Sequence, residues 1–269
     1  MLTDSQLTQF EVFGFLVLRG LLTPEETDKA GADFDLGLAR ATDGMERGGI
    51  RGQLNWSNLG PETPFLASLL EDERFYGAAQ QILGKDAVGY SSNANSFDGD
   101  RTEWHPDVGD LDWHGIKFGF YLQPLDRDSG ALRLIPGSQR SPFHDELFAM
   151  GLKGDESPYL KKARLSINDV PAYVWESEPT DMIAFNNRTW HASWGGSGDR
   201  RQVNVSYFKN ASDAYEEDLS QKFSHLTKTL RPDHDQHQSP YPPDWLANRH
   251  NNPTVQHWVD WLKKYGHLE

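Results

Sequence analysis

Ten histidines and no cysteine limit the chemistry this chain can do. Without thiolates there is no cysteine nucleophile, no iron–sulfur cluster and no disulfide framework, so imidazole and carboxylate are the candidate metal ligands. The sharpest group is Trp104-His105-Pro106-Asp107. Side chains alternate along a strand, so a His-x-Asp pair at a strand end sends both groups to one side, where both can reach one ion. A third ligand has to come from elsewhere. His191, in Asn187-Arg188-Thr189-Trp190-His191-Ala192-Ser193, follows the run Asp181 to Phe185 and is far enough along to sit on another strand of the same barrel. Two imidazoles and one carboxylate suit non-haem Fe(II) and leave three positions open. Taken alone, a His-x-Asp pair is more often a solvated loop pair.

An iron enzyme that uses a keto acid as co-substrate also needs a fixed cation. The keto and carboxylate oxygens at one end chelate the metal, and a guanidinium can clamp the far carboxylate in two-pronged fashion. Arg200-Arg201 precedes the strand-like Gln202 to Phe208. By alternation only one of the two arginines points inward, and the other belongs to the surface. The strand Ile116 to Leu122 has one apolar face; Lys117, Gly119, Tyr121 and Gln123 form the other. If that second face lines a cavity, Lys117 or Tyr121 touches co-substrate or substrate; otherwise Lys117 faces solvent. Asn93 and Asn95 share a strand face and either bind substrate or turn the chain. Trp104 and Trp113 flank the metal motif, where core packing competes with a substrate role.

Other patterns carry less. His234 and His237 lie in a proline-rich stretch and read as solvated loop. Asp110, Asp112 and His114 read as a loop at the cavity mouth. Gly195-Gly196-Ser197-Gly198 is a turn rather than a phosphate loop, since no Lys-Ser or Lys-Thr follows. No Gly-x-Ser-x-Gly nucleophile elbow is present.

The elements that must position these groups change in texture along the chain. Thr3-Asp4-Ser5-Gln6 and Thr23-Pro24-Glu25-Glu26 are helix starts, with a short buried strand, Gly14 to Arg19, between them. The second helix is predicted to run to about Arg40. Residues 41 to 60 read as a loop, followed by short helices over Pro64 to Leu70 and Arg74 to Leu83. From residue 86, β-prone runs alternate with turns: Ala87 to Tyr90, Ile116 to Leu122, Ala131 to Ile135, Ala172 to Trp175, Asp181 to Phe185 and Gln202 to Phe208. That spacing predicts an antiparallel sandwich or barrel. Residues 141 to 170 form a long insertion with a helix at His144 to Met150, and with 41 to 60 are the expected lid. Residues 231 to 244 hold four prolines and read as a linker. Val255, Trp258, Val259, Leu262 and Tyr265 follow helical spacing. The expected organisation is one domain: a helical part at 1–85, a β core at 86–210 and an extension at 211–269.

Composition agrees with a globular protein. The chain has 269 residues, a net charge of −14 and 25% charged residues. An acidic chain lacks the basic face that nucleic acid or an anionic membrane requires. Mean hydropathy is −0.69, the opening residues lack a leader pattern and no apolar run reaches membrane length. The expected setting is cytoplasmic, with a small-molecule substrate.

The chain resembles the phytanoyl-CoA dioxygenase family of Fe(II)/2-oxoglutarate-dependent oxygenases, over about residues 2 to 210. The opening Leu2-Thr3 through Gly14-Phe15-Leu16-Val17-Leu18-Arg19-Gly20 to Leu22-Thr23-Pro24-Glu25-Glu26 is similar to the family's start. Asp128-Ser129-Gly130-Ala131-Leu132-Arg133-Leu134-Ile135-Pro136-Gly137-Ser138 is the most family-specific segment, departing only at Gln139, where the family usually has His. The resemblance implies a double-stranded β-helix, or jelly roll, with flanking helices. It implies that His105, Asp107 and His191 bind iron, that Arg201 holds the distal carboxylate of 2-oxoglutarate, and that Ser193 hydrogen-bonds the same carboxylate. Arg201 is preferred to Arg200 for its distance from the following strand. Fe(II), 2-oxoglutarate and O2 are the implied cofactor and co-substrates. Related halogenases replace the carboxylate of the metal motif by a small residue; this chain keeps Asp107, which implies hydroxylation or another oxidation. Two rival readings are a cupin-like metal enzyme without a keto acid, which has no need of the arginine, and a non-catalytic jelly-roll binding module, which has no need of the metal ligands.

Overall fold

The first turns of the chain are set by capping. Thr3 and Thr23 each accept a hydrogen bond from the backbone N–H three residues on, and Gln6 and Glu26 reach back to the cap N–H. Both are capping boxes, which satisfy donors that a helix start otherwise leaves open. They begin α1 (Asp4–Phe13) and α2 (Pro24–Ala41). Gly14 ends α1 in the left-handed region at φ 81° and turns the chain into β1 (Phe15–Leu18). A side chain there would also strike Gln139 and Thr189.

The structure is a computed structural model that describes residues 1–43, 52–98, 102–108, 115–152, 157–196, 198–210, 241–248 and 251–264. After α2 come β2 (Gly52–Ser57), α3 (Pro64–Ser68), α4 (Glu73–Leu83), β3 (Val88–Asp98), β4 (Thr102–His105), β5 (Gly115–Tyr121) and β6 (Leu132–Leu134). Then follow α5 (Phe143–Ala149), α6 (Pro158–Ala163), β7 (Tyr173–Trp175), β8 (Met182–Asn186), β9 (His191–Ser193) and β10 (Arg200–Phe208). Two further helices, α7 (Pro243–Asn248) and α8 (Pro253–Lys264), complete the described elements.

The strands form two antiparallel sheets, a large one in the order β1-β8-β5-β10-β3-β2 and a small one in the order β4-β9-β6-β7. The large sheet has two unlike faces. Phe118, Val203, Val205 and Tyr207 face the helices and join the main core with Phe75, Tyr76 and Trp258. The rings of Phe75 and Phe118 meet edge-on at 5.4 Å, and those of Tyr76 and Trp258 at 5.1 Å. The opposite face looks toward the small sheet, where Phe15, Tyr121, Ile183 and Phe185 pack with Leu132, Leu134 and Trp175.

Register puts the inward residues into rows that run straight across the large sheet. One row carries Phe15, Phe185, Lys117 and Ser206. The next carries Val17, Ile183, Gly119, Asn204, Asn93 and Ser57, and the third Tyr121, Gln202, Asn95 and Asn55. Arg200, Phe97 and Gln53 form a fourth. The inner face is therefore apolar over β1 and β8 and polar over β10, β3 and β2.

Several expectations need amendment. Residues 52–57 form strand β2 rather than loop, and β3 continues to Asp98, well past the expected Tyr90. The described parts of the 141–170 insertion bury Leu147, Leu152, Leu160 and Ile167 on the outer face of the small sheet, so they cover a core instead of closing over the inner face. The expected lid residues 44–51, Asp110, Asp112, Trp113, His114, His234, His237 and Tyr265 lie outside the described residues.

Candidate metal centre

Strands β4 and β9 pair so that His105 stands directly opposite His191. Their rings lie 4.4 Å apart between centroids. Asp107 follows β4, and its Oδ1 is 4.0 Å from His105 Nε2 and 3.7 Å from His191 Nε2. One ligand atom from each of the three residues falls within 4.8 Å of the others. This is the single such cluster among the described residues.

The donor set fits a metal in a second way. His105 Nδ1 lies 2.7 Å from the Glu103 carbonyl and His191 Nδ1 2.9 Å from the Thr189 carbonyl. A carbonyl only accepts, so each Nδ1 must carry the proton and each Nε2 keeps its lone pair for the centre. Charge follows the same logic. Burial pushes the Asp107 carboxyl up, but Lys117, His191 and His105 outweigh it and hold it far below the usual carboxylate range. The Lys117 ammonium is 2.7 Å from Asp107 Oδ2. Burial and then the charge of His105 push His191 down to about 3, against the pull of Asp107. His191 and Asp107 are thus already in the unprotonated forms that bind a metal at neutral pH.

Inward of the triad lie Ser193 and Thr102, whose hydroxyls are 3.3 Å apart. Ser193 faces the interior because it shares a strand face with His191. Tyr121 is buried and points inward; burial pushes its hydroxyl up to about 12. Asn95 is buried and Asn93 half-buried on the same inner face.

Two expected positions are corrected. Arg201 does not point into the barrel: it donates to Asp35 on α2 at 2.5 Å and to the Gly31 carbonyl, and its guanidinium lies over the Phe34 ring. The inward member of the pair is Arg200, which is 2% exposed, donates to the Gly130 carbonyl at 2.8 Å and stacks over Phe97. Arg201 shares its parity with Val203, Val205 and Tyr207, and that row faces the helices. Trp104 likewise points away from the cavity. It packs on the outer face of the small sheet with Trp190, Ile135 and Leu147, edge-on to Trp194.

Sequence reasoning missed Gln53, Asn55, Gln202 and Asn204, which line the inner face. The signal was available in β2, where Gln53, Asn55 and Ser57 alternate with Leu54 and Trp56. It was hidden by the glycine-rich stretch before it.

Residues 10–203 match the phytanoyl-CoA dioxygenase (PhyH) family. The ectoine dioxygenase of Bordetella bronchiseptica is 28% identical over 156 residues, covering 52% of this chain and 50% of that protein. The chain thus spans about half the length of the curated relatives it matches. Among solved structures, HygX from Streptomyces hygroscopicus, with nickel and 2-oxoglutarate bound, superimposes with a TM-score of 0.61 at 17% identity, over 78% of this chain and 88% of that one. EctD from S. alaskensis, with bound Fe, gives a TM-score of 0.58 at 20% identity over 77% and 76%. Both likenesses establish the shared jelly-roll fold.

Proposed function

The chain belongs to the phytanoyl-CoA dioxygenase family, and from that premise we propose that it is an Fe(II)- and 2-oxoglutarate-dependent dioxygenase. It hydroxylates a small organic molecule and releases succinate and CO2. The observation that carries this reading is the convergence of His105, Asp107 and His191 on one point at the mouth of a jelly roll whose buried guanidinium, Arg200, faces the same interior. A metal enzyme without a keto acid would have no use for that cation, and a binding module would have no use for the triad. The cysteine-free composition supports a cytoplasmic setting.

His105, Asp107 and His191 would hold the metal by one face, leaving the opposite positions to co-substrate, O2 and solvent. When bound, iron supplies the redox chemistry that splits O2 and couples decarboxylation of the keto acid to oxidation of a C–H bond. The tasks of the chain are different. Its two Nδ1–carbonyl hydrogen bonds fix both imidazoles, so the ligand geometry is set before any substrate enters. Lys117 neutralises the outer oxygen of Asp107 and keeps the carboxylate ionised. Arg200, with Ser193 and the Tyr121 hydroxyl, takes the distal carboxylate of 2-oxoglutarate. A guanidinium held by the Gly130 carbonyl and Phe97 is pre-oriented, so little side-chain entropy is lost on binding. Lys117 is close enough to the triad to touch co-substrate as well. Asn93 and Asn95 are substrate contacts on the polar half of the inner face.

The test is turnover. Purified protein given Fe(II), 2-oxoglutarate and air should form succinate, faster with its substrate than without. His105→Ala should abolish that activity. Full succinate formation by His105→Ala would reject the assignment.

A further inference from the structure

The inner face of the large sheet carries an amide chain that the metal chemistry does not use. Gln53 Nε2 and Asn55 Nδ2 both donate to Asn95 Oδ1, at 2.7 and 2.5 Å. Asn95 Nδ2 and Asn204 Nδ2 both donate to Gln202 Oε1, at 3.4 and 3.5 Å. Asn95 and Asn204 are each 3% exposed. Burying such groups is costly unless each finds a partner. One atom does not: Asn204 Oδ1 is buried and has no hydrogen-bond partner among the described residues. It sits beside Gly119, where an added Cβ would come within 3.0 Å of it. Gly119, between Lys117 and Tyr121, puts no side chain against that buried acceptor.

On the strength of the oxygenase reading above, we infer that the substrate is an uncharged, polyhydroxylated molecule of the cyclitol or glycoside class. The inward cations of the described sheet are already engaged, Lys117 with Asp107 and Arg200 at the Gly130 carbonyl, on the side assigned to the keto acid. Apart from Phe97, what remains over β10, β3 and β2 is carboxamide and hydroxyl. A carboxamide presents donors and an acceptor together, and so does a hydroxyl group, so a run of hydroxyls can exchange bonds with a run of amides in either sense. A substrate O–H donating to Asn204 Oδ1 satisfies the one orphaned acceptor. A carboxylate or ammonium on the same scaffold would give up its hydration with no opposite charge among the described residues of β10, β3 and β2 to replace it.

Saturation-transfer NMR on the full chain, loaded with Zn(II) and 2-oxoglutarate, tests this with myo-inositol and methyl β-D-glucopyranoside as neutral probes. Glucuronate and glucosamine are the charged counterparts. The neutral probes should bind saturably and about tenfold or more tighter than either charged one. The near-isosteric Asn204→Asp and Gln202→Glu should each weaken the neutral probes by about tenfold. Circular dichroism melting shows that the variants remain folded. Tighter binding of glucuronate or glucosamine, no binding of either neutral probe, or neutral binding unchanged in both variants would overturn the substrate class. The oxygenase reading stands or falls separately, on whether the same loaded protein binds 2-oxoglutarate at all.

Discussion

One residue of parity separates two arginines with opposite fates. Arg200 and Arg201 are adjacent, equally charged and on the same strand, yet one is buried facing the interior and the other is tied to Asp35 on the helical side. The consequence is a prediction that distinguishes them sharply. Arg200→Ala removes the cationic partner of a desolvated carboxylate, a loss of about 2–5 kcal/mol, or roughly 30-fold or more in affinity for 2-oxoglutarate. Arg201→Ala should change that affinity less than about threefold, because an exposed ion pair far from the ligand contributes little. Calorimetric titration of 2-oxoglutarate into both metal-loaded variants decides. The same paired logic applies at the centre. Lys117→Met leaves Asp107 without its ammonium partner, so its carboxyl should move up toward the ordinary range. The pH at which the metal-free protein protonates that carboxyl should then be higher than in the parent, as read by NMR titration of the Asp107 side chain.

Elements succeed here where local chemistry and burial agree. Helix α8 was readable from Val255, Trp258, Val259 and Leu262, which are buried together with Trp261. Its dock is less forgiving than its pattern. Trp258 lies flat against β3 at Gly89, where a Cβ would come within 2.8 Å of the indole. Gly89→Ala should therefore cost about 1–3 kcal/mol and lower Tm by several degrees without touching the metal site. Thermal melting with and without Zn(II) separates the two effects. Both helix starts were legible from their capping threonines, strands β5 and β10 from clean alternation, and β8 as a continuous apolar run. Strand β2 was not, since its glycine-rich neighbours mask six residues of period two. The His-x-Asp pair and His191 were legible as residue types, and their pairing across β4 and β9 was not, because partner register depends on contacts remote in sequence. The preference for Arg201 failed for a readable reason. The distance of Arg201 from the following strand fits, but the parity it shares with Val203 and Val205 turns it to the helical side.

At the scale of the whole molecule, the N-terminal helices are clasped to the sheet-covering layer by charge as well as packing. Arg74 on α4 donates to Glu26 on α2 at 2.6 Å, to Asp72 and to the Leu21 carbonyl. Its hydrogen bonds, opposed by burial and helped by the Thr23 backbone N–H, bring the Glu26 carboxyl down to about 2. A carboxyl lowered in the folded state adds stability that is complete above its unfolded value near 4.5 and is lost as pH falls toward 2. Stability of the parent protein should drop across that window. Arg74→Met should flatten this part of the curve while leaving the curve above pH 5 parallel, as checked by urea melts at stepped pH. The same global arrangement brings two ligands from strands of the small sheet and a third from the segment after β4 to one point facing the large sheet, and everything proposed about function depends on that meeting. The most direct test is an anaerobic titration of the full chain with Fe(II) and 2-oxoglutarate, followed by visible absorption. One iron and one 2-oxoglutarate per chain should raise a metal-to-ligand charge-transfer band that His191→Ala lacks. A parent protein with no such band, or a band that survives intact in His191→Ala, would contradict the account.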